Sequence, residues 1–383
     1  MGTDAVVKLA ADLLRAPSQT GSEGPAAELL VRTMNELRFD EAYIDDAGNA
    51  IGKLLRGDGP VVMLNGHIDT VPVGDESLWP HPPLGGVVAD GRLWGRGACD
   101  MKSALACMVM AAADAAENGF NGTLLVSGVV QEEVGGLGAR HLSQTVRSDV
   151  VVLGEPSKLQ LKLGHRGRVE VKVVFPGAIA HAAKAELGEN ALGHAARFVA
   201  ALEGLELPSG GPLRGSSATP TRLVTYPLKG ANVVPGRAEL IIDYRNIPGD
   251  EPADILARLR TLTNDPRVEF CLPLEHAKSA NGKVSASYER VAPPYLVPED
   301  HPAPALARTA LRRALAAEGM TLQEGTWWFC TDAPHLAKAG APVIGFGPGE
   351  EELAHTTNES VAVADLEIAR RAYRELALAF LAA

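Results

Sequence analysis

Cysteine is scarce in this chain and scattered: Cys99, Cys107, Cys271 and Cys330 form no Cys-x-x-Cys pair. Reduced thiols and a cytoplasmic location are therefore expected. Positive charge is short too. With 36 Lys+Arg against 47 Asp+Glu the net charge is −11, which argues against nucleic acid or an anionic membrane surface as a partner. Long apolar runs are missing; none approaches the roughly 20 residues a membrane helix needs. The start, Met-Gly-Thr-Asp-Ala-Val-Val-Lys, has no basic patch followed by an apolar core, so no signal peptide is expected. Ala5-Val6 stands where a myristoylation signal wants Ser or Thr. The glycines of Gly95-Arg-Gly-Ala-Cys-Asp-Met-Lys102 complete neither phosphate-binding pattern. No internal repeat or low-complexity tract occurs.

What remains is an ordinary globular composition, 46% apolar and 22% charged. At 383 residues the chain suits two domains, or one large domain carrying an insertion. Residues 6–39 read as two helices, the second with Ala26, Leu29, Leu30, Met34 and Leu37 at helical spacing. Strands are expected at 42–44 and 50–55, a hairpin around Ala-Asp-Gly-Arg at 87–94, and a helix at 103–118. The run Val61-Val-Met-Leu-Asn-Gly-His-Ile-Asp69 is a buried strand that ends in an imidazole and a carboxylate. As i and i+2 of a strand, His67 and Asp69 are predicted to project together. Strands at 124–131 and 150–153 also end in acids, Glu132-Glu133 and Glu155, while Asp100 precedes the 103–118 helix. The fold class predicted is α/β, a mixed, largely parallel sheet flanked by helices.

From about residue 168 the texture changes. A strand at 169–175, a helix at 190–203, strands at 221–227 and 237–245, a helix at 252–264 and a strand at 267–272 spell a small βαββαβ α+β unit. The predicted organisation is a first domain over 1–167, an inserted lid or dimerisation domain over 168–290, and a return to the first domain over 291–383. The returning part carries a Pro-rich linker, a helix at 303–318, strands near 327–330 and at 342–346, and a closing helix from 363.

Clustered acids at one sheet edge repel one another unless a cation sits among them. His67, Asp100, Glu132, Glu133, Glu155 and His355 supply imidazole and carboxylate donors suited to Zn²⁺, Co²⁺ or Mn²⁺. A carboxylate bridging two ions, with one carboxylate left free to move a proton, is the arrangement of two-metal hydrolysis.

His67-Ile-Asp69, Gly97-Ala-Cys-Asp100-Met-Lys, Glu132-Glu133, Gly154-Glu155-Pro156 and Ala354-His355-Thr-Thr-Asn-Glu359 occur in order from about residue 60 onward. They resemble the signature blocks of the di-zinc amidohydrolases and exopeptidases that include acetylornithine deacetylase, succinyl-diaminopimelate desuccinylase, aminoacylases and glutamate carboxypeptidase. The resemblance implies that His67 and Glu155 hold one metal, that Glu133 and His355 hold the other, and that Asp100 bridges them. It implies Glu132 as general base and then acid, Asp69 as the group orienting His67, and a cis peptide after Asp100. Pro176-Gly-Ala-Ile-Ala-His181 resembles the family's lid motif, whose histidine serves the partner subunit's site in a homodimer and steadies the oxyanion. Asn232-Val-Val-Pro235 and Asp243-Tyr-Arg245 resemble the lid strands that bind substrate, with Arg245 suited to a carboxylate. Departures are Ala182-Ala183 where Ser is common and Ala185 where Pro is usual; Trp327-Trp328 beside Thr331-Asp332 is also less typical and is placed at the specificity pocket. The activity implied is hydrolysis of an N-acyl-amino acid. A dipeptidase or carboxypeptidase, an N-carbamoyl-amino acid hydrolase, and a non-catalytic binding protein remain the alternatives.

Overall fold

Residues 3–383 are described by a computed structural model. Its central sheet has nine strands. Across it run Glu41–Ile44, Ala50–Leu55, Thr123–Val129, Val61–His67, Val150–Leu153, Val343–Gly345, Leu161–His165 and Tyr295–Leu296, with Glu324–Trp327 paired beside Leu161–His165. The middle four are parallel, and antiparallel strands flank them. The parallel strands are apolar on both faces because helices cover both. Alternation then sorts them: Val62, Leu64, Val126 and Val152 join one core, whereas Met63, Leu125, Val151 and Val343 join the other. Each such side chain contributes about 1.5–3 kcal/mol on burial.

Helices Thr3–Arg15, Gly24–Glu36, Lys102–Asn118, Ala303–Ala316 and Val363–Leu381 pack on the first face. Leu137–Thr145 and Ala333–Leu336 pack on the second. Lys102–Asn118 is buried from Lys102 to Ala115, and its sequence is accordingly apolar on every side. Lys102, Ser103 and Asp114 are its polar exceptions; the Lys102 Nζ donates to the carbonyls of Leu13 (2.8 Å) and Ala16 (3.0 Å) at the end of the first helix.

The inserted unit is a separate antiparallel sheet in the order Ser217–Tyr226, Arg237–Arg245, Arg168–Pro176, Glu269–Cys271. Val169, Val171, Val173 and Phe175 alternate inward, against Ala195 and Phe198 of helix Ala191–Leu202 and Ile255 and Leu259 of helix Pro252–Arg260. Asn190 starts the first of these helices, its side chain accepting from the Gly193 amide at 3.2 Å.

Several details depart from expectation. The strand Val61–His67 stops two residues short of Asp69, which lies beyond it. The long helix starts at Lys102 after Met101, one residue earlier than expected and with no side-chain cap. The strand Leu161–His165 and a hairpin of Leu274–Lys278 with Ser285–Glu289 were not anticipated.

Candidate metal centre

His67, Glu132, Glu133 and Glu155 lie at or just after the ends of parallel strands, Asp100 just before helix Lys102–Asn118, and His355 just after the turn Glu351–Leu353. His67 closes its strand, and its Nδ1 faces the backbone carbonyl of Asp69 at 2.9 Å. A carbonyl only accepts, so Nδ1 carries the proton and Nε2 presents a lone pair. That lone pair points at Asp100 Oδ1, 2.8 Å away, with Glu155 Oε2 at 3.9 Å. The other oxygen of Asp100 lies 3.2 Å from His355 Nε2, which is also 3.0 Å from Glu133 Oε1. Asp100 thus stands between two imidazoles, offering one oxygen to each. Two acceptors facing each other at such distances require a proton or a metal cation between them.

Electrostatics says the same. Burial, reinforced by neighbouring acids, pushes the carboxyls of Glu132, Glu155 and Glu133 up from their ordinary values. Burial opposes ionisation of Asp100 as well, yet the imidazoles of His355 and His67 beside its two oxygens hold it below the usual range. Hydrogen bonds to Asp100 and Glu133 push His355 up to about 10. Divalent cations directly relieve the repulsion among acids gathered in this way. Donor atoms of His67, Asp100 and Glu133, and separately of His67, Glu132 and Glu155, lie within 4.8 Å of one another, close enough to share ions. The donor set therefore fits metal. Glu132 shares a group with Glu155, so proximity alone does not separate ligand from base. A third group, Glu189, His194 and Asp265, is already engaged by Arg267.

Asp69 differs from expectation. Its carboxylate is 3.7 Å from His67 Nδ1, and it is the backbone carbonyl that orients the ring. The carboxylate instead accepts from the amides of Glu132 (3.0 Å) and Glu133 (3.2 Å) and from the Thr20 hydroxyl (3.0 Å). Its register after the strand end, not its charge type, decides this. The peptide between Asp100 and Met101 is cis, as the resemblance implied.

Two residues take part beyond what the sequence reading gave them. Glu359 is buried; its Oε1 accepts from the amides of Gly97, Cys99 and Asp100 at 2.9, 3.1 and 3.1 Å, and its Oε2 from Arg96 at 2.5 Å. It shapes the loop that presents Asp100, and its only signal was its place at the end of the Ala-His-Thr-Thr-Asn-Glu block. Asp332 is fully buried beside the acids, and burial lifts its carboxyl to about 7. Cys99 is a packing residue, its thiol donating to the Glu350 carbonyl.

A cavity of about 560 Å³ opens over Asp100, Glu132, Glu133, Glu155 and His355 and is walled on the far side by the inserted unit. Arg245 reaches this wall, but its Nε and Nη2 are held by Asp243 at 2.6 and 3.3 Å. Asp243 also binds Arg168 (2.6 Å), which binds Glu170 (3.2 Å), which binds Arg290 (3.1 Å), which binds Glu275 (2.8 Å). The wall is a chain of alternating charge. Trp328, Thr331 and Asp332 line the cavity, whereas Trp327 is buried in the core. His181 and Asn232 do not line it. They sit together at a tip of the inserted unit, where strands Ala180–His181 and Val233–Val234 pair and the Ala182 amide donates to the Asn232 carbonyl at 2.8 Å. The His181 Nδ1 accepts from the Ala183 amide at 3.1 Å.

Imidazoles and carboxylates gathered at the ends of parallel strands beneath a cavity are the features of a metal-binding hydrolase. The profile of peptidase family M20/M25/M40 matches residues 63–379. The chain belongs to that family and is a hydrolase acting on amide or peptide bonds. It is 29% identical over 384 residues to the uncharacterized protein YgeY of Escherichia coli K12, covering 97% of this chain and 93% of that one. It is likewise 29% identical over 385 residues to succinyl-diaminopimelate desuccinylase of Cereibacter sphaeroides, covering 97% of each. Among solved structures, aminopeptidase PepT of Bacillus cereus superposes with a TM-score of 0.77 at 21% identity, over all of both chains.

Proposed function

We propose that this protein is a two-metal hydrolase that cleaves the amide bond of an N-acyl-amino acid, in the manner of acetylornithine deacetylase and succinyl-diaminopimelate desuccinylase. The observation that carries the reading is Asp100 placed between His67 and His355 with one oxygen toward each. His67 and Glu155 would hold one ion, Glu133 and His355 the second, and Asp100 both. Zn²⁺ suits these donors, with Co²⁺ or Mn²⁺ as alternatives. Such ions supply Lewis acidity, acidifying water and polarising the acyl carbonyl.

The chain's own groups do the rest. Glu132, whose carboxyl burial pushes upward, takes the proton of the attacking water and delivers it to the departing amine. Asp69 fixes the amides of Glu132 and Glu133 and so the direction in which both side chains leave the turn. Arg245, with Nη1 outside its pair with Asp243, receives the substrate carboxylate. His181 and Asn232 act on the partner subunit's substrate in a homodimer, His181 steadying the oxyanion. Support for that dimer is the outward side of edge strand Ser217–Tyr226 and the exposed Ile179, Leu187 and Leu228 near the same tip. The cytoplasm is the proposed location.

The desuccinylase relative favours a deacylase, while the family name keeps a dipeptidase or carboxypeptidase as the second reading. Assays of acetyl-, succinyl- and carbamoyl-amino acids beside dipeptides, with and without chelator, decide between them. Turnover of an acylated amino acid that chelator abolishes supports the proposal; turnover of dipeptides alone transfers it to the second reading. Metal-loaded protein that binds these compounds and cleaves none refutes both.

A further inference from the structure

The hairpin of Leu274–Lys278 and Ser285–Glu289 joins two parts of the molecule. Its root belongs to the inserted sheet: the Arg290 amide donates to the Pro273 carbonyl at 2.8 Å, and the Glu170 amide to the Arg290 carbonyl at 3.1 Å. Its body lies on the segment that follows strand Thr123–Val129. Gln131 Nε2 donates to the Lys278 carbonyl at 2.8 Å, and the Tyr288 hydroxyl donates to the Val134 carbonyl at 3.3 Å. Lys283 adds an exposed pair with Asp46 at 2.8 Å.

Tyr288 is the best seated of these residues. The Arg140 guanidinium lies 4.4 Å from its ring centroid, while Arg140 Nε donates to the Gly135 carbonyl at 2.9 Å. Gly135 has φ +115°, and a Cβ there would meet the Tyr288 ring at 2.6 Å. The half-buried ring therefore packs against Val134, Gly135 and Arg140 on one side and lines the cavity on the other. Gln131 and Gly135, both at positive φ, bracket Glu132 and Glu133. Asp69 holds the amides of those two residues. The hairpin touches the same turn just before and just after them.

We propose that Tyr288 is a positioning residue: seated between Gly135 and Arg140, it fixes the Glu132–Glu133 turn, so that catalysis by the first domain depends on a side chain carried by the inserted one. This rests on the reading of Glu132 and Glu133 as acting groups. A misplacement of those carboxylates on the order of 1 Å lowers turnover by up to about 100-fold.

The test uses the full metal-loaded chain, with Tyr288→Ala and Tyr288→Phe followed by turnover kinetics, bound-metal stoichiometry and amide hydrogen exchange of residues 131–136. Tyr288→Ala is expected to lower kcat by about 10- to 100-fold with KM changed by less than about threefold, and to speed exchange across 131–136. Tyr288→Phe keeps the ring against Gly135 and Arg140 and is expected to recover most of both losses. Unchanged exchange in Tyr288→Ala overturns the proposal, as does a rise in KM at constant kcat, which makes Tyr288 a substrate contact. Should Glu132→Ala prove as active as the parent, the hydrolytic reading fails, while the exchange result still decides whether the tyrosine holds the turn.

Discussion

Glu359→Gln replaces a carboxylate by an amide of the same shape and tests whether the Asp100 loop is built on charge. In the native structure one oxygen takes three backbone amides and the other takes Arg96. A glutamine offers one acceptor and one donor, so either the three amides or the guanidinium meets a donor. Arg96 is 4% exposed and Glu359 0%, so the lost ion pair is a buried one. Breaking such a pair by removing one partner costs about 3–5 kcal/mol. Arg96 keeps weaker partners, the Thr356 and Pro72 carbonyls at 3.4 and 3.3 Å and the Trp79 ring at 4.9 Å, which places the cost near about 3 kcal/mol. Because the Asp100 amide is one of the three donors, part of that loss falls on the residue between the two imidazoles. Metal affinity is expected to drop by about 10- to 100-fold, the usual penalty for removing a group that orients a ligand. Chelator competition gives the affinity and the urea midpoint gives the stability. A variant with parental affinity and midpoint would show that the loop keeps its shape without the charge.

Three further outcomes are expected. Glu132→Ala should lower kcat by about 10²- to 10⁴-fold while the chain still binds two metals; loss of metal would make Glu132 a ligand. His181→Ala should lower kcat by about 10²- to 10³-fold with little change in KM, and an unchanged kcat would remove it from the mechanism. The third concerns acid stability. Burial holds His165 neutral to about pH 4 in the folded chain, whereas its ordinary value is 6.5. The unfolded chain therefore protonates first, and stability falls as pH drops from about 6.5 towards 4, by on the order of 3 kcal/mol at 1.36 kcal/mol per unit. Urea midpoints at pH 7.5 and 5 should converge in His165→Gln relative to the parent; an identical acid loss in both refutes the assignment.

The parallel strands were legible because buried strands read as unbroken apolar runs, and the acids that end them mark the sheet edge. Val61-Val-Met-Leu and Val150-Val-Val-Leu needed no tertiary information. Glu359 did, for its bond to the Asp100 amide spans 259 positions, and no local pattern reveals what a carboxylate will accept. That Asp69 meets the His67 ring through its backbone carbonyl, and gives its carboxylate to the Glu132 and Glu133 amides, depends on contacts that a reading of single positions does not reveal. The Leu274–Glu289 hairpin was missed although Asn281-Gly282 supplies a turn signal between its strands. Its strands are short and largely exposed, so their alternation is weak. Arg245 stands at the cavity wall, but its pairing with Asp243 was invisible to a reading of single positions.

Lys102 hangs from carbonyls near residue 13, and the Asp100 amide hangs from the carboxylate of residue 359. The short stretch between Gly97 and Lys102 is thus clasped from both directions by segments that lie far apart along the polypeptide. Bringing segments so distant together costs loop-closure entropy. On the proposed reading, a chain that has not brought those segments together holds its candidate ligands dispersed, and ion binding depends on the finished architecture.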